Sequence, residues 1–330
     1  MNQLLANLDQ YDPNADYVMA IITETQGSTY RKAGAMMLIN QSGKSWGLLS
    51  GGCLEGDIIA HTEQVFANEE DKRITYDMRG DPDLIWGLGL GCDGAVHILL
   101  KFLPKACDSD GKSFIEVLND VDDGIPFFLT LSLTDNQMLF LYEEDQLLSE
   151  LEQPGVLVVA LNPTYRILIC GASPDVPPVV NMAAQLGWQV TVIDHRPDYI
   201  KPERFSQARM VIRIKRSELA EFVVWKFNAA VVMSHQYERD LQYLDHLLNS
   251  DIPYIGLLGP QKRRDKLLKD CDTTIEAQLH RVFGPVGLKL GGHSPESIAL
   301  GIVGEIQAVL SGCLDSLQLP DKDVKAQVKM

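Results

Sequence analysis

The chain lacks several features that define large classes of proteins. Its 330 residues contain no run of about 18 apolar residues, and no charged segment followed by a short apolar one opens the chain, so neither a membrane helix nor a secretory leader is expected. Positive charge is scarce: 29 lysines and arginines stand against 45 aspartates and glutamates, and the net charge of −16 argues against nucleic-acid binding. We therefore expect a cytoplasmic protein that binds neither membranes nor nucleic acids.

The six cysteines are scattered and form no framework. They lack the Cys-x-x-Cys and nearby His spacing of structural zinc sites, and they lack the clustering of disulfide-rich secreted domains. This pattern indicates free thiols in a reducing compartment. A disulfide between Cys53 and Cys92 stays open at this point.

Two glycine-cysteine runs about forty residues apart are the most informative part of the sequence. Residues 50–57 read Ser-Gly-Gly-Cys-Leu-Glu-Gly-Asp, and residues 87–94 read Gly-Leu-Gly-Leu-Gly-Cys-Asp-Gly. Glycine turns expose backbone N–H groups that form concavities for anions. Each run therefore places one cysteine among exposed amides, which would stabilise either its own thiolate or a bound phosphate. The alternative is that both cysteines are buried and only structural.

The first of these runs precedes a predicted amphipathic helix over residues 54–66. Cys53 would then lie at a helix N-terminus, where the helix dipole and unpaired amides favour the thiolate. A nucleophilic or metal-binding Cys53 follows as a hypothesis.

The pattern of the chain changes near residue 150. Residues 1–150 predict an α+β domain with a largely antiparallel or mixed sheet, with strands at 17–25, 35–39, 45–49, 74–78, 95–102, 127–133 and 138–142. Residues 151–330 alternate strands with helices, and the strands fall at 166–170, 189–193, 210–214, 229–233 and 253–258. That rhythm predicts an α/β, Rossmann-like, doubly wound parallel sheet.

The expected dinucleotide fingerprint is altered. Gly171 follows the first parallel strand, and Asp194 falls 23 residues later, where a ribose-binding acid is expected. However, residues 171–178 read Gly-Ala-Ser-Pro-Asp-Val-Pro-Pro, which lacks the second glycine and removes three N–H donors through proline. Nucleotide binding and a purely structural role for Asp194 both stay open.

Polar groups also follow the later parallel strands. His235 and Asp240 follow the fourth strand, and Gly259 precedes Lys262 and Arg263 at a predicted helix start. Ligands bind at the carboxyl ends of such strands, and a phosphate would suit the helix start. A structural histidine and a solvated basic face are the alternatives.

Taken together, these segments resemble the XdhC/CoxI family of accessory proteins for xanthine dehydrogenase and carbon monoxide dehydrogenase. They occur in family order over almost the whole chain and comprise residues 27–36 (Gly-Ser-Thr-Tyr-Arg-Lys-Ala-Gly-Ala-Met), 50–57, 89–94, 192–197 (Val-Ile-Asp-His-Arg-Pro), 234–235 with Asp240, 254–259 and 284–305.

The resemblance implies a non-catalytic maturation factor. Such a factor binds molybdenum cofactor, protects it while its sulfido ligand is installed, and delivers it to a xanthine dehydrogenase-type molybdenum hydroxylase. A cysteine desulfurase-type sulfur donor and a homodimer are implied as partners. The implied cofactor-binding residues are Arg31, Gly51, Gly52, Cys53, Glu55, Asp57, Gly91, Cys92, Gly171, Asp194, His235, Asp240, Gly259 and Arg263.

A soft thiolate would contact the metal, and Cys53 is the first choice over Cys92. The chain departs from the family where Ser173-Pro174 replaces the usual Gly-His after Gly171-Ala172, and where Pro260 replaces the usual Ser. Three other functions remain as alternatives: an NAD(P)-dependent oxidoreductase, a nucleotidyltransferase that holds Mg²⁺ with Asp57, Asp93 and Asp194, and an interaction protein with inactive sites.

Overall fold

The computed structural model describes residues 2–79, 94–105, 112–142, 155–224, 226–271 and 276–313. The chain divides into two compact units, Met1–Thr164 and Tyr165–Met330. In the described ranges, no helix combines the length and the apolar composition that crossing a membrane requires.

The first unit begins with a short helix, α1 (Asn2–Leu5), and is built on a five-stranded antiparallel sheet of order β3-β2-β1-β5-β4. The strands are β1 (Tyr17–Gly27), β2 (Met36–Asn40), β3 (Ser45–Gly47), β4 (Lys72–Asp77) and β5 (Gly94–Leu103). The register places Tyr17 opposite both Asn40 and Leu103. The long β1 and β5 therefore form the centre of the sheet.

Both faces of this sheet are covered, so β1 is a continuous apolar run over its first six residues. Helix α2 (Glu55–Asn68) buries Ile58 and Val65 against one face. Helix α3 (Phe114–Asp122) packs on the other, where a capping box between Ser113 and Glu116 fixes its start.

A second, three-stranded antiparallel sheet of order β7-β6-β8 completes the core on the α3 side. Its strands are β6 (Phe127–Ser132), β7 (Met138–Leu141) and β8 (Val156–Leu161). Since β8 pairs with β6 along its whole length, the chain up to Thr164 belongs to the first unit. The sequence pattern did not assign β8.

The second unit is a six-stranded sheet of order β11-β10-β9-β12-β13-β14 in which all pairs are parallel. Its strands are β9 (Arg166–Cys170), β10 (Gln189–Asp194), β11 (Met210–Arg213), β12 (Ala229–Val232), β13 (Tyr254–Leu257) and β14 (Val282–Phe283). Its helices are α4 (Val176–Gln185), α5 (Tyr237–Leu248), α6 (Gln261–Lys269) and α7 (Pro295–Leu310). Short 3₁₀ turns occupy Leu8–Gln10, Pro202–Arg204, Arg216–Glu221 and Glu276–Arg281.

Helices cover both faces of the parallel sheet. Val180 of α4 and Ile302 of α7 share one core, whereas Leu244 of α5 and Leu267 of α6 share the other. Numbered within the unit, the strand order is 3-2-1-4-5-6, which is the order of dinucleotide-binding domains. The switch point of the sheet therefore lies between the carboxyl ends of β9 and β12.

The predicted fold class is confirmed: an α+β first half precedes a Rossmann-like, doubly wound second half. The sequence left open whether the first sheet is antiparallel or mixed. Among the described strands of the first unit, all pairs are antiparallel. The predicted cap of the last helix is also present, because the Ser294 side chain accepts a hydrogen bond from the Ser297 N–H.

Candidate functional site

Several connections of the first unit meet at one end of the five-stranded sheet. Gly27 at the end of β1 lies opposite Gly94 at the start of β5, and Gly47 at the end of β3 lies opposite Met37. Residues 28–35 and 48–54 therefore follow strands that end on the same side of the sheet. Gly91 and Cys92 lie outside the described residues.

The loop that carries Cys53 is organised by the hydroxyl of Ser50. Ser50 Oγ accepts the backbone N–H groups of Cys53 and Leu54, at 3.1 and 2.9 Å, and donates to Glu55 Oε2 at 2.5 Å. A serine hydroxyl has one donor and two acceptor positions, so all its capacity is used. The loop conformation is therefore held by a single, nearly buried side chain.

Glu55 holds the other side of this loop. Its Oε1 accepts the N–H groups of Leu49 and Ser50, at 3.1 and 2.7 Å. Burial by itself would raise the pKa of Glu55, but the hydrogen bonds from the Ser50 side chain and from these amides lower it. Glu55 is thus an ionised anchor of the loop, and its carboxylate is committed to the backbone.

Cys53 itself is exposed and lies two residues before α2, next to the helix N-cap Leu54. The preceding Gly52 has φ +101°, a conformation that L-residues rarely adopt, and a Cβ at Gly52 would meet no atom within 4 Å. Open space on this side leaves the thiol accessible to a ligand.

Arg31 approaches this loop through Tyr30. A Cβ on Gly51 would lie 3.7 Å from the Tyr30 ring, which is an ordinary van der Waals distance, so the ring lies beside this part of the loop. The Arg31 guanidinium lies 5.8 Å from the centroid of that ring, within cation–π range. Tyr30 thus lies next to both the Arg31 guanidinium and Gly51 of the Cys53 loop.

Asp57 belongs to a polar network on the outer face of α2. Tyr76 donates to Asp57 Oδ2 at 2.6 Å, and His61 Nε2 lies 3.6 Å from the same oxygen. Burial, followed by the hydrogen bond to Asp57, raises the pKa of Tyr76. Asp57 is therefore positioned by β4 as well as by its own helix.

In the part of the chain that the structure describes, no group of three or more His, Cys, Asp or Glu side chains could hold a metal ion. Among the described residues, the exposed Cys53 thiol is therefore not part of such a cluster.

At the switch point of the second unit, the two central loops contact each other directly. Gly171 has φ +129°, and a Cβ there would lie 2.6 Å from the backbone nitrogen of Ser234. Ser173 Oγ donates to the carbonyl of Met233 at 2.8 Å. In a dinucleotide-binding domain, the position of Ser173 holds a second glycine that the pyrophosphate approaches. Here the buried Ser173 side chain joins the loops after β9 and β12 instead.

Asp194 is completely buried and its oxygens are bound within the protein. The Ala172 N–H donates to Oδ2 at 2.8 Å, and Arg196 donates from Nε to Oδ1 at 3.0 Å and from Nη2 to Oδ2 at 2.6 Å. Burial by itself would raise the pKa of Asp194, but these hydrogen bonds lower it. The carboxylate is an internal ion pair, the structural alternative considered above.

Asp175 is the N-cap residue of α4, the helix whose start would meet a ligand phosphate in a dinucleotide-binding domain. His235 Nε2 lies 2.8 Å from Asp175 Oδ2, and His235 has a φ of +63°. Asp175 Oδ1 is buried and has no hydrogen-bond partner among the described residues. The protein thus supplies its own negative charge to this helix start.

Asp240 and Arg263 form a second internal pair. Arg263 Nη2 donates to Asp240 Oδ2 at 2.7 Å, while the Ser234 N–H and hydroxyl donate to Oδ1 at 3.1 and 2.5 Å. Gly259 has φ +117°, and a Cβ there would lie 2.8 Å from Arg263 Cδ, so the glycine makes room for the arginine. Arg263 is therefore directed toward Asp240.

Pro260 is the N-cap of α6, and its carbonyl accepts the N–H of Arg263 at 2.8 Å. Sequence reasoning gave no role to Ser50, Tyr30, Asp175 or Arg196. The three prolines at 174, 177 and 178 were a local signal of the altered α4 start. No local pattern indicated the contact of Ser173 with Met233.

Comparison with known proteins agrees with this two-part architecture. Residues 12–77 match the family model for the XdhC and CoxI family, and residues 167–306 match the model for the XdhC Rossmann domain. A crystal structure of a protein named as a xanthine dehydrogenase, from Bacillus halodurans, is 30% identical with a TM-score of 0.76 and covers 94% of this chain and 96% of its own.

Two relatives with named functions cover most of the chain. A probable xanthine dehydrogenase subunit of Bacillus subtilis (strain 168) is 32% identical over 310 residues, which are 88% of this chain and 92% of the relative. The molybdenum cofactor insertion chaperone PaoD of Escherichia coli (strain K12) is 20% identical over 88% of this chain and 83% of its own. The chain belongs to the XdhC and CoxI family.

Proposed function

We propose that this protein is a maturation factor that binds molybdenum cofactor, protects it during sulfuration and delivers it to a xanthine dehydrogenase-type molybdenum hydroxylase. The name of PaoD, a molybdenum cofactor insertion chaperone, supports the maturation role, and the name of the Bacillus subtilis relative supports a xanthine dehydrogenase client. The observation that carries the proposal is the exposed Cys53 thiol on a loop whose backbone is fixed by Ser50 and Glu55.

The residues at this loop suit the chemistry of that cargo. The cofactor is a pterin with a phosphate and a dithiolene that binds molybdenum, and it supplies the metal centre at which the client enzyme works. A thiolate is a soft ligand appropriate to such a metal. Cys53 would contact the metal, and Arg31 with the amides of Gly51 and Gly52 would hold the phosphate.

Binding without turnover is the expected behaviour. In this proposal the factor acts in the cytoplasm as a homodimer, a cysteine desulfurase-type protein supplies sulfur, and the client hydroxylase accepts the cargo. The Cys53 loop would then have two tasks, retention and release. A single thiol contact suits both, because it can be exchanged for a ligand of the client.

An NAD(P)-dependent oxidoreductase is the second candidate, and the strand order of the second unit favours it. The closed contact between Ser173 and Met233 and the internal pairing of Asp194 count against it. A nicotinamide nucleotide would have to break both before it reached the switch point.

Native mass spectrometry of anaerobically purified protein tests the proposal. Wild type, Cys53→Ser and Cys313→Ser would each be mixed with molybdenum cofactor, with metal-free pterin and with NADH. Cys313 is also exposed, which makes its variant a matched control for loss of a surface thiol. We expect wild type and Cys313→Ser to retain the cofactor and none of the three to bind NADH.

Cys53→Ser should lose molybdenum-containing cofactor much more than metal-free pterin. Equal loss of both forms would contradict the metal-contact role of Cys53. Binding of NADH without any pterin would replace the maturation role by the oxidoreductase.

A further inference from the structure

The aromatic ring of Tyr30 has no role in the proposed function. Tyr30 is 60% exposed, which is the highest value among the large apolar side chains that the structure describes. Single exposed apolar residues are common on protein surfaces and need no explanation by themselves. Tyr30 differs by its position, because its ring lies beside Gly51, two residues before the exposed Cys53 thiol.

The backbone on both sides of Tyr30 is held by hydrogen bonds. Thr29 Oγ1 donates to the carbonyl of Arg31 at 2.9 Å, which closes the chain around Tyr30. Further along the same connection, the Gly34 N–H donates to the carbonyl of Ile22 at 2.8 Å. The ring is therefore presented to solvent from a fixed turn, as a binding surface requires.

No side chain stands on the stretch of loop between the residue that contacts Tyr30 and Cys53, because both residues are glycines. A Cβ on Gly51 would lie 3.7 Å from the Tyr30 ring, at ordinary contact distance, and a Cβ on Gly52 would meet no atom within 4 Å. A larger side chain at position 51 would occupy the space beside the ring. The two glycines therefore present only peptide groups to a ligand that lies between the ring and the thiol.

The chain itself limits the length of a ligand that touches both the ring and the thiol. Gly51 and Cys53 are two residues apart, so their Cα atoms are separated by at most about 7 Å. Together with the contact distance from Gly51 to Tyr30, the two groups are roughly 10 Å apart. A single five- or six-membered ring is too short to make both contacts, whereas a substituted fused-ring system is long enough.

We propose that Tyr30 stacks on a fused heteroaromatic ring system whose other end reaches Cys53. The ligand class follows from the contacts: an exposed aromatic face favours another flat, conjugated ring, and side-chain-free peptide groups let such a ring lie close to the loop. The Arg31 guanidinium, 5.8 Å from the centroid of the Tyr30 ring, adds positive charge beside the platform. That charge favours a ring that carries oxygen or nitrogen acceptors.

The choice of a pterin among fused heterocycles rests on the proposed function. In that function Cys53 contacts the metal and Arg31 with the glycine amides holds the phosphate, which leaves the ring system of the cargo without a partner. Tyr30 supplies this partner from the neighbouring connection. The inference therefore adds ring recognition, by one exposed side chain, to the site around the Cys53 loop.

Anaerobic calorimetry of the full-length protein with molybdenum cofactor, and separately with its metal-free pterin, tests this role. Tyr30→Ala removes the ring, and Tyr30→Phe keeps the ring but removes the hydroxyl. Tyr199→Ala is the matched control, because Tyr199 is also exposed and has an arginine 4.1 Å from its ring centroid, but belongs to the second unit. Both tyrosines are exposed, so folding should be unchanged, and circular dichroism checks this.

Tyr30→Ala should bind both forms of the ligand about tenfold more weakly than wild type, as the loss of one stacked aromatic side chain implies. Tyr30→Phe should stay within about twofold of wild type, because stacking is a property of the ring. Tyr199→Ala should bind as wild type does. This pattern differs from that of Cys53→Ser, which should lose mainly the form that contains molybdenum.

Unchanged affinity of Tyr30→Ala for the metal-free pterin would overturn the stacking role. An equal loss in Tyr199→Ala would overturn it too, and so would a loss in Tyr30→Phe as large as that in Tyr30→Ala. The outcomes also separate this inference from the proposed function. Wild type that binds neither form contradicts both, whereas equal binding by wild type and Tyr30→Ala contradicts the stacking role alone.

Discussion

The two units differ in how the polar groups of their candidate site loops are bound. In the first unit, Ser50 and Glu55 bind loop backbone and leave the Cys53 thiol exposed. In the second, the groups that would meet a dinucleotide bind one another: Asp194 binds Arg196, and Ser173 binds the Met233 carbonyl. A fold typical of nucleotide-binding proteins has thus kept its strand order while its switch point is closed by its own side chains.

The two units also differ in net charge. Residues 1–164 contain 26 aspartates and glutamates but only nine lysines and arginines. Residues 165–330 contain 19 acidic and 20 basic side chains. The net charge of the protein therefore belongs to the first unit. An anionic ligand there must be met by local donors such as Arg31 and the glycine amides, because the surrounding field is unfavourable to it.

The largest expected effect is that of breaking the buried ion pair in the second unit. Asp194→Ala leaves the Arg196 guanidinium without its carboxylate, so the free energy of unfolding should fall by about 3 kcal/mol or more. Urea unfolding measures this change. If Asp194 were instead a ligand-binding acid in an open crevice, its removal would cost less than about 1 kcal/mol.

Acid titration sharpens the same point. The pKa of Asp194 is lower in the folded protein than in the unfolded chain, so its carboxylate stabilises the fold above about pH 3.9, and this contribution is lost as the pH falls through the folded-state pKa. Unfolding free energies between pH 7 and pH 3 should therefore fall more steeply for wild type than for Asp194→Asn. Parallel profiles would contradict the ion pair.

Two glycine substitutions compare the open loop with the closed one. Gly52→Ala and Gly171→Ala both place a side chain at positive φ, which costs about 1 kcal/mol. Only at Gly171 does the new Cβ also overlap the backbone of Met233 and Ser234, which should add about 2 kcal/mol. Thermal unfolding of both variants measures the difference, and equal losses would mean that the β9 and β12 loops are not in close contact.

A smaller effect is expected from Ser50→Ala. This change removes two acceptor interactions and one donor interaction, and we expect a loss of about 1–2 kcal/mol. Hydrogen exchange should become faster at the amides of Cys53 and Leu54 and stay unchanged in the second unit. Slow exchange at both amides in the variant would show that the loop does not depend on Ser50.

Local sequence patterns predicted the elements better than the site. The strand at 166–170 and the cap at Ser294 were predicted from nearby residues alone, since apolar runs and capping residues act over a few positions. The contact of Ser173 with Met233 joins residues 60 apart. The bulge in β1 between Ile22 and Glu24 depends on pairing with a strand more than 70 residues away. Such contacts depend on the completed fold and leave no local pattern.

Hydrogen–deuterium exchange of the full-length protein, with and without molybdenum cofactor, tests the central claim most directly. The account predicts that the cofactor slows exchange in residues 28–35 and 48–57 of the first unit and leaves residues 171–175 and 234–236 of the second unit unchanged. Protection of the switch-point residues, with no change around Cys53, would contradict it and would return the binding site to the Rossmann-like unit.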